Sequence, residues 1–318
     1  MTRHGPEDKD VSPRDLAARA AWMSFVGGMT QDQIARDLGI SRQRAQRLVA
    51  RATAEGLVRV RVDHPIAACL DLERRLRARF DLLSVRVAPS VGAEAEALRA
   101  LAPFAAPELE RLFHDGARVL ALGTGRTLRA VVEEMQPQEA PGLKVVSLIG
   151  NVSPDGSASF YEVIMRLADK TGAAHYPMSI PVFARNEAEY AQYLALPHVR
   201  ASRDLALTAD MAVVGIGQMT DDAPLHQDGF LSAADLRDLQ SRGAAGEICG
   251  HIFDDQGRYL DHVINRRMVG IRVPFGSAPV LCIAGGSSKI GPMRAALRGQ
   301  LIHHLITDEL SARALLDG

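Results

Sequence analysis

Apolar residues recur at helical spacing over roughly the first sixty positions of the chain and in short runs after about residue 81, so the period of the pattern changes along the sequence. Ser12, Pro13 and Asp15 supply an N-cap, a first-turn proline and an acid at N3, which predicts a helix to about Val26 before Gly27-Gly28 ends it. Trp22 and Phe25 are expected to anchor the core around it. Ile34, Ala35 and Leu38 form one edge of a second helix, and Gly39 supplies a tight turn. Ser41 then caps a third helix whose Ala45, Leu48, Val49 and Ala52 lie within about 100° of one another on a helical wheel. Residues 57–62 alternate apolar and Arg positions and predict a short strand, either a wing that reaches phosphates or a plain edge strand. Residues 66–80, with Leu70, Leu72, Leu76 and Phe80, predict an amphipathic helix that joins two domains and is a candidate surface for pairing protomers.

Beyond residue 81 the candidate strands are 85–87, 119–122, 145–149, 211–216 and 280–284. Helices are predicted at about 93–114, 126–135, 157–171, 186–195, 199–207, 232–240 and 290–299. Strands alternating with helices of this length imply an α/β domain with a mainly parallel, Rossmann-like sheet covered on both faces. Ligands on such sheets sit at the carboxyl ends of the strands. The expected organisation is a disordered lead over 1–11, a helix-turn-helix domain over 12–63, a linker helix over 64–80 and an α/β domain over 81–318.

Composition narrows the class without changing that picture. With 318 residues, 47% hydrophobic and 24% charged, the chain is an ordinary globular one. No apolar run approaches the roughly 18 to 20 residues of a membrane span, and the charged start MTRHGPEDKD is unlike a signal region, so the expected location is cytoplasmic. Cys69, Cys249 and Cys282 lack CxxC spacing and read as reduced thiols, so no metal or cofactor is expected.

Charge adds more. The formal net charge is −1, yet between Ile40 and Val62 the residues Arg42, Arg44, Arg47, Arg51, Arg59 and Arg61 oppose only Glu55. A local basic patch on a nearly neutral chain is the footprint of a DNA-binding module. On the third helix Gln43 and Arg47 lie opposite the apolar edge, Gln46 on one flank, Arg44 and Arg51 on the other, and Arg42 nearest the start. Gln and Arg have the bidentate geometry that matches adenine and guanine edges in the major groove.

Three glycine-rich corners follow predicted strands. Gly123-Thr124-Gly125-Arg126-Thr127 opens onto a helix, where free N–H groups and hydroxyls from Thr124 and Thr127 favour an anion. Gly215-Ile216-Gly217-Gln218 and Gly285-Gly286-Ser287-Ser288-Lys289 are the others. Lysine is scarce here, with only Lys9, Lys144, Lys170 and Lys289, which makes Lys289 the candidate point charge on a phosphate. None of the corners is a Walker A motif or a complete GxGxxG, so neither a nucleoside triphosphate nor NAD is indicated.

The segments TQDQIARDLGISRQRAQRLVARATAEGLV, LGTGRTL, ADMAVVGIG, GAAGEICGHIFDDQG and IAGGSSKIGPMRAALRGQLIHHLITDE resemble those of SorC-family transcriptional regulators. The resemblance spans about residues 12–316, with Ala45 standing where the family often has Val. It implies a sugar-binding domain similar in fold to ribose-5-phosphate isomerase and glucosamine-6-phosphate deaminase, with the sugar-phosphate pocket reused for an effector. It also implies that the loop from Gly123 to Thr127 and Lys289 hold the phosphate, and that Glu247 and Asp254 lie around the sugar hydroxyls. From the residues themselves, Glu247 is equally a cap for its Gly-flanked turn, and Asn265 and Arg266 are either ligand groups or surface positions.

The function expected is therefore a DNA-binding regulator of a carbohydrate or polyol catabolic operon. Its partners would be operator DNA and a sugar-phosphate or polyol effector, and it would act as a homodimer or homotetramer. The alternative is a sugar-phosphate isomerase or deaminase with an appended DNA-binding domain. Asp210, Glu247, His251 and Asp254 are of the right types for acid/base work, but no spacing marks a catalytic pair.

Overall fold

The computed structural model describes residues 12–58, 67–90, 97–114, 116, 118–153, 156 and 163–317. The chain forms two compact units, Met1–His64 and Pro65–Gly318. Arg59 and Arg61, the rest of the predicted 57–62 strand and the 1–11 lead lie outside the described residues.

The smaller unit holds three helices: α1 (Pro13–Phe25), α2 (Gln31–Asp37) and α3 (Arg42–Ala54). Ser12 caps α1 through the Asp15 N–H at 3.1 Å. Thr30 and Gln33 form a capping box on α2, in which the Thr30 N–H donates to Gln33 Oε1 at 2.7 Å. Gly39 takes φ +65° in the turn, which a glycine adopts without strain. The core is built from small residues, Ala17, Ala20, Ala21, Ala45 and Ala52, around Ile34, Leu48 and Val49. This corrects the expectation for Trp22 and Phe25, which are 63% and 51% exposed. The alanine face of α1 packs against α3, and the large rings fall on the other flank.

The larger unit begins with α4 (Ala67–Phe80), β1 (Ser84–Ala88), α5 (Ala97–His114), β2 (Val119–Leu122), α6 (Arg126–Glu134) and β3 (Lys144–Val152). It continues through α7 (Val163–Thr171), β4 (Ala174–Pro181), α8 (Glu187–Ala195), α9 (Pro197–Leu207), β5 (Met211–Val214), β6 (Gly217–Gln218), α10 (Pro224–Gln227) and α11 (Ala233–Ser241). The chain then forms β7 (Ala244–Ile248), β8 (His251–Asp254), α12 (Val263–Arg267), β9 (Val280–Ile283), α13 (Ile290–Arg298), β10 (His304–Asp308) and α14 (Glu309–Asp317).

Seven strands form a parallel sheet in the order β1-β10-β9-β5-β2-β3-β4. Its two faces are separate cores, and the strand alternation assigns residues to each. Ala121, Ala212, Val214, Val280 and Cys282 belong to one, together with Leu76 of α4, Val199 of α9 and Met293 of α13. Leu120, Leu122, Val213, Leu281 and Ile283 belong to the other, with Leu101 of α5, Leu128 of α6 and Leu167 of α7. Buried on both sides, β2, β5 and β9 read as continuous apolar runs, as expected for interior parallel strands.

Several elements depart from the sequence expectation, among them the interior strand β10 and the final helix α14, for which no element is predicted. The helix α4, read as a linker, buries Cys69, Leu72 and Leu76 in the main core of the larger unit. Strand β4 occupies an edge, where Pro177 and Pro181 are tolerated because an edge strand needs fewer N–H donors. A second, antiparallel sheet of β6, β7 and β8 has no signature in the sequence, since β6 is two residues long and Ala-Ala-Gly gives β7 weak strand propensity.

Candidate functional site

From β2 the chain proceeds to β3 and β4 on one side, then returns to place β5, β9 and β10 on the other. The order reverses between β2 and β5, and such a switch point leaves a crevice at the carboxyl ends of the strands. All three glycine corners leave from β2, β5 and β9, which are neighbours in the sheet, so they converge on that crevice. A cavity of about 390 Å³ opens there. This size suits a small-molecule ligand.

Thr124, Gly125, Arg126 and Thr127 line the cavity from the first corner. Gly125 is the N-cap of α6 and carries no side-chain cap, which leaves backbone donors of the first turn facing the crevice end of the helix. Gly123 does not line the cavity. Its N–H donates to Val213 O at 2.9 Å, and a side chain there would press on the Cys249 sulfur. Arg126 sits at the rim near Gln227 and Asp228, at 3.3 and 3.7 Å.

Gly215 and Gly217 line the cavity from the second corner. Gly217 pairs with Glu247 across β6 and β7, and a side chain on Gly217 would collide with the Glu247 carboxyl. Glu247 itself faces the cavity and also accepts from the Gly250 N–H at 2.8 Å. Glu247 thus caps its turn and borders the cavity. Burial raises its pKa against the opposing pull of the Gly250 N–H and Lys289, which favours the neutral acid.

Lys289, from the third corner, donates to the buried Gln218 Oε1. Gln218 Nε2 in turn donates to Asp222 Oδ2 at 3.2 Å, and Thr220 Oγ1 donates to Asp222 Oδ1 at 2.6 Å. Hydrogen bonds from Thr220 and Gln218 hold Asp222 below the usual carboxylate range, so it stays charged. Burial pulls the Lys289 pKa down while Glu247 and Asp222 oppose it. Asp222 was missed in the sequence, and Gln218 stood there only as the last residue of the second corner; nothing in the spacing marked either as a site residue. Opposite these polar groups, Leu98, Ile149, Val182, Ile216 and Phe230 make an apolar wall.

Asp254 is a correction. It lies outside the cavity, and its oxygens are taken by the Gln256 and Arg258 N–H groups and the Arg258 guanidinium, each at 2.9 Å. It closes the turn after β8. Asn265 is buried and clamps β8 to the following loop, accepting from Ile252 N–H and donating to Ile252 O and Leu260 O. Asp210 is spent at the amino end of the sheet, where it accepts from the Arg118 and Val119 N–H groups. The residues named for acid/base work are thus not gathered at one place.

In the smaller unit, α3 buries Ala45, Leu48, Val49 and Ala52 and exposes Arg42, Gln43, Arg44, Gln46, Arg47 and Arg51. The Ser41 hydroxyl accepts from the Arg44 N–H at 3.2 Å and fixes the start of the helix. Arg51 is paired with Glu55 at 2.6 Å and Arg42 lies 3.6 Å from Asp32, so part of the basic charge is already balanced. Arg47 Nε reaches back to Gln43 O at 3.4 Å.

Residues 64–317 match the family described as "Putative sugar-binding domain", and residues 20–65 match the MarR family. The erythritol catabolism regulatory protein EryD of Brucella abortus (strain 2308) is 36% identical over 303 residues, 95% of this chain and 96% of that protein. The transcriptional regulator LsrR of Enterobacter sp. (strain 638) is 30% identical over 315 residues, 96% of this chain and 94% of that protein. The crystal structure of the full-length sorbitol operon regulator SorC from Klebsiella pneumoniae superposes with a TM-score of 0.76 at 28% identity, covering 98% of this chain and 100% of that one. These proteins are transcriptional regulators and not enzymes, which sets aside the isomerase or deaminase alternative.

Proposed function

We propose a function from one premise: this chain belongs to the SorC family of sugar-binding transcriptional regulators. It controls a carbohydrate or polyol catabolic operon, binding operator DNA through α3 and changing that affinity when a sugar phosphate or polyol fills the strand-end cavity. The observation that carries this reading is the convergence of the β2, β5 and β9 corners on one cavity containing a single lysine.

In this reading Lys289, Thr124, Thr127 and the N–H groups beside Gly125 take the anionic end of the effector. Glu247, whose burial shifts it toward the protonated acid, contacts sugar hydroxyls; Gln218 and Asp222 accompany it. The carbon skeleton packs on Ile149, Val182 and Phe230. Gly215 leaves room for the ligand, and Gly217 leaves room for the Glu247 carboxyl. On DNA, Gln43 and Arg47 read bases, and Arg42, Arg44, Gln46 and Arg51 flank them. The active species is a cytoplasmic homodimer or homotetramer, because one recognition helix offers a small contact and two-fold related helices reach successive major grooves about 34 Å apart. Among the described residues no helix is long and apolar enough to cross a membrane.

The test is a thermal-shift screen of sugars, polyols and their phosphates, followed by operator binding with each compound that stabilises the protein. A true effector stabilises the fold by about 2.7 kcal/mol at a hundred times its Kd. It should also alter retention of the operator in a mobility-shift assay. Compounds that stabilise the protein but leave operator affinity unchanged would overturn the regulatory reading. Arg47→Ala and Gln43→Ala should each lose discrimination between operator and unrelated DNA, a direct base contact being worth about 1 to 3 kcal/mol. Identical footprints of wild type and both variants on the operator would remove these residues from base readout.

A further inference from the structure

Strands β7 and β8 are joined by the two-residue loop Cys249-Gly250, with φ of +49° and +78°. Positive φ at both positions marks the tight hairpin turn that follows the twist of paired strands. Cys249 and Gly250 line the strand-end cavity. The next residue, His251, lines a different one, of about 440 Å³, with Arg203, Arg266 and Arg272 on its walls.

The charge of this second cavity is unbalanced. Arg203 Nη1 donates to Val269 O at 3.0 Å, and the Arg272 guanidinium stands 4.8 Å from the centre of the Tyr259 ring. Among the described residues neither has a carboxylate partner. Arg266 reaches Glu187 at 3.1 Å and Asp261 at 2.7 Å, and only Glu187 also borders the cavity. Guanidinium groups stay charged at any ordinary pH, and a concave wall of one sign concentrates its field on the space it encloses.

His251 adds a second, independent observation. Its side chain is buried at 3% exposure, and its Nε2 lies 3.1 Å from Gly270 O, so the ring proton sits on Nε2. Nδ1 is then a bare acceptor, and it has no hydrogen-bond partner. Burial, with Arg272 and Arg203 adding to it, pushes the pKa down to about 4 and keeps the ring neutral. A buried acceptor without a donor is costly, so the site calls for an O–H or N–H from outside the protein. Cationic walls call for an anion.

We propose that the cavity between Arg203, Arg266, Arg272 and His251 is a second ligand site, for a small oxyanion that carries its own O–H, either a phosphate group or a hydroxycarboxylate. The anionic oxygens meet the guanidinium groups and the O–H donates to His251 Nδ1. This site is separate from the effector cavity and does not use Lys289. It is nevertheless one residue away along the chain, so occupancy on one side of Cys249-Gly250 bears on the turn that walls the other.

The experiment is calorimetric titration of the full chain bearing Lys289→Ala with inorganic phosphate, malate and sulfate, repeated with Arg272→Gln added. One molecule of phosphate or malate should bind per chain, and the better of the two identifies the natural ligand as a phosphate or a hydroxy acid. Arg272→Gln should weaken it by about tenfold or more, the worth of one charge-assisted hydrogen bond, with an unchanged melting profile. Sulfate has no O–H near neutral pH and should bind more weakly than phosphate. Absence of binding at millimolar concentration, or binding that Arg272→Gln leaves unchanged, overturns the site. Sulfate binding as tightly as phosphate overturns the role of His251. A change of sedimentation coefficient in Arg272→Gln without any anion binding would make the cavity a subunit contact and also overturn it. Effector binding that survives Lys289→Ala would count against Lys289 as the phosphate ligand of the strand-end cavity and leave the second site untouched.

Discussion

Lys289→Ala is expected to lose effector affinity by roughly 30- to 5,000-fold while operator binding in the absence of effector stays at the wild-type level. That range corresponds to about 2 to 5 kcal/mol for removing one partner of a buried, hydrogen-bonded charge pair. The lysine is half-enclosed, its pKa is drawn down by burial, and its fixed neighbour is the neutral Gln218. A cation held in this way is placed for an incoming anion rather than for a protein carboxylate. If Lys289 served only to hold Gln218 and the β6 strand, its loss would lower the melting temperature without a selective effect on ligand. Calorimetric titration of both proteins with the effector, beside operator binding by each, separates the two. Unchanged effector affinity in a folded Lys289→Ala protein would sink the phosphate assignment and favour an unphosphorylated polyol held by Glu247, Gln218 and Asp222.

Ile34→Ala should abolish operator binding and leave effector binding intact. Ile34 is fully buried in the smaller unit, surrounded by alanines that cannot fill the space a larger side chain vacates. Truncating a buried isoleucine costs about 2 to 5 kcal/mol, against the 5 kcal/mol or so available at the lower end of natural domain stability. A unit of this size has few other large apolar groups in reserve. Differential scanning calorimetry should show an early transition move down or vanish while a later, effector-responsive transition is unchanged. A single transition that shifts as a whole, with effector affinity lost, would mean that the two units unfold together.

The helix α3 and its polar face were legible because their information is local. Ala45, Leu48, Val49 and Ala52 set one face by spacing alone, and Gln43 and Arg47 then had only one direction to point. The glycine corners were visible for the same reason, each ending a short apolar run. Their convergence was not, because it depends on β9, β5 and β2 lying side by side, and strand order is decided by contacts between residues far apart in sequence. Gln218 and Asp222 became part of the site only through that order. Asp254 and Glu247 look alike in sequence, as acids beside glycine-containing turns. Counting their hydrogen bonds separates them: Asp254 is saturated by its own turn, and Glu247 keeps an oxygen toward the cavity. Bulk is no sign of burial for Trp22, because close approach of α1 and α3 requires alanine.

That exposed ring has a practical consequence. Trp22 is the only tryptophan in the chain, and it stands in solvent on α1, in the unit that carries α3 and neither cavity. Its fluorescence is therefore a built-in optical probe of the smaller unit, free of signal from indoles near the ligands. Emission recorded while effector is added reports whether the smaller unit responds to occupancy of the cavity, without label or mutation.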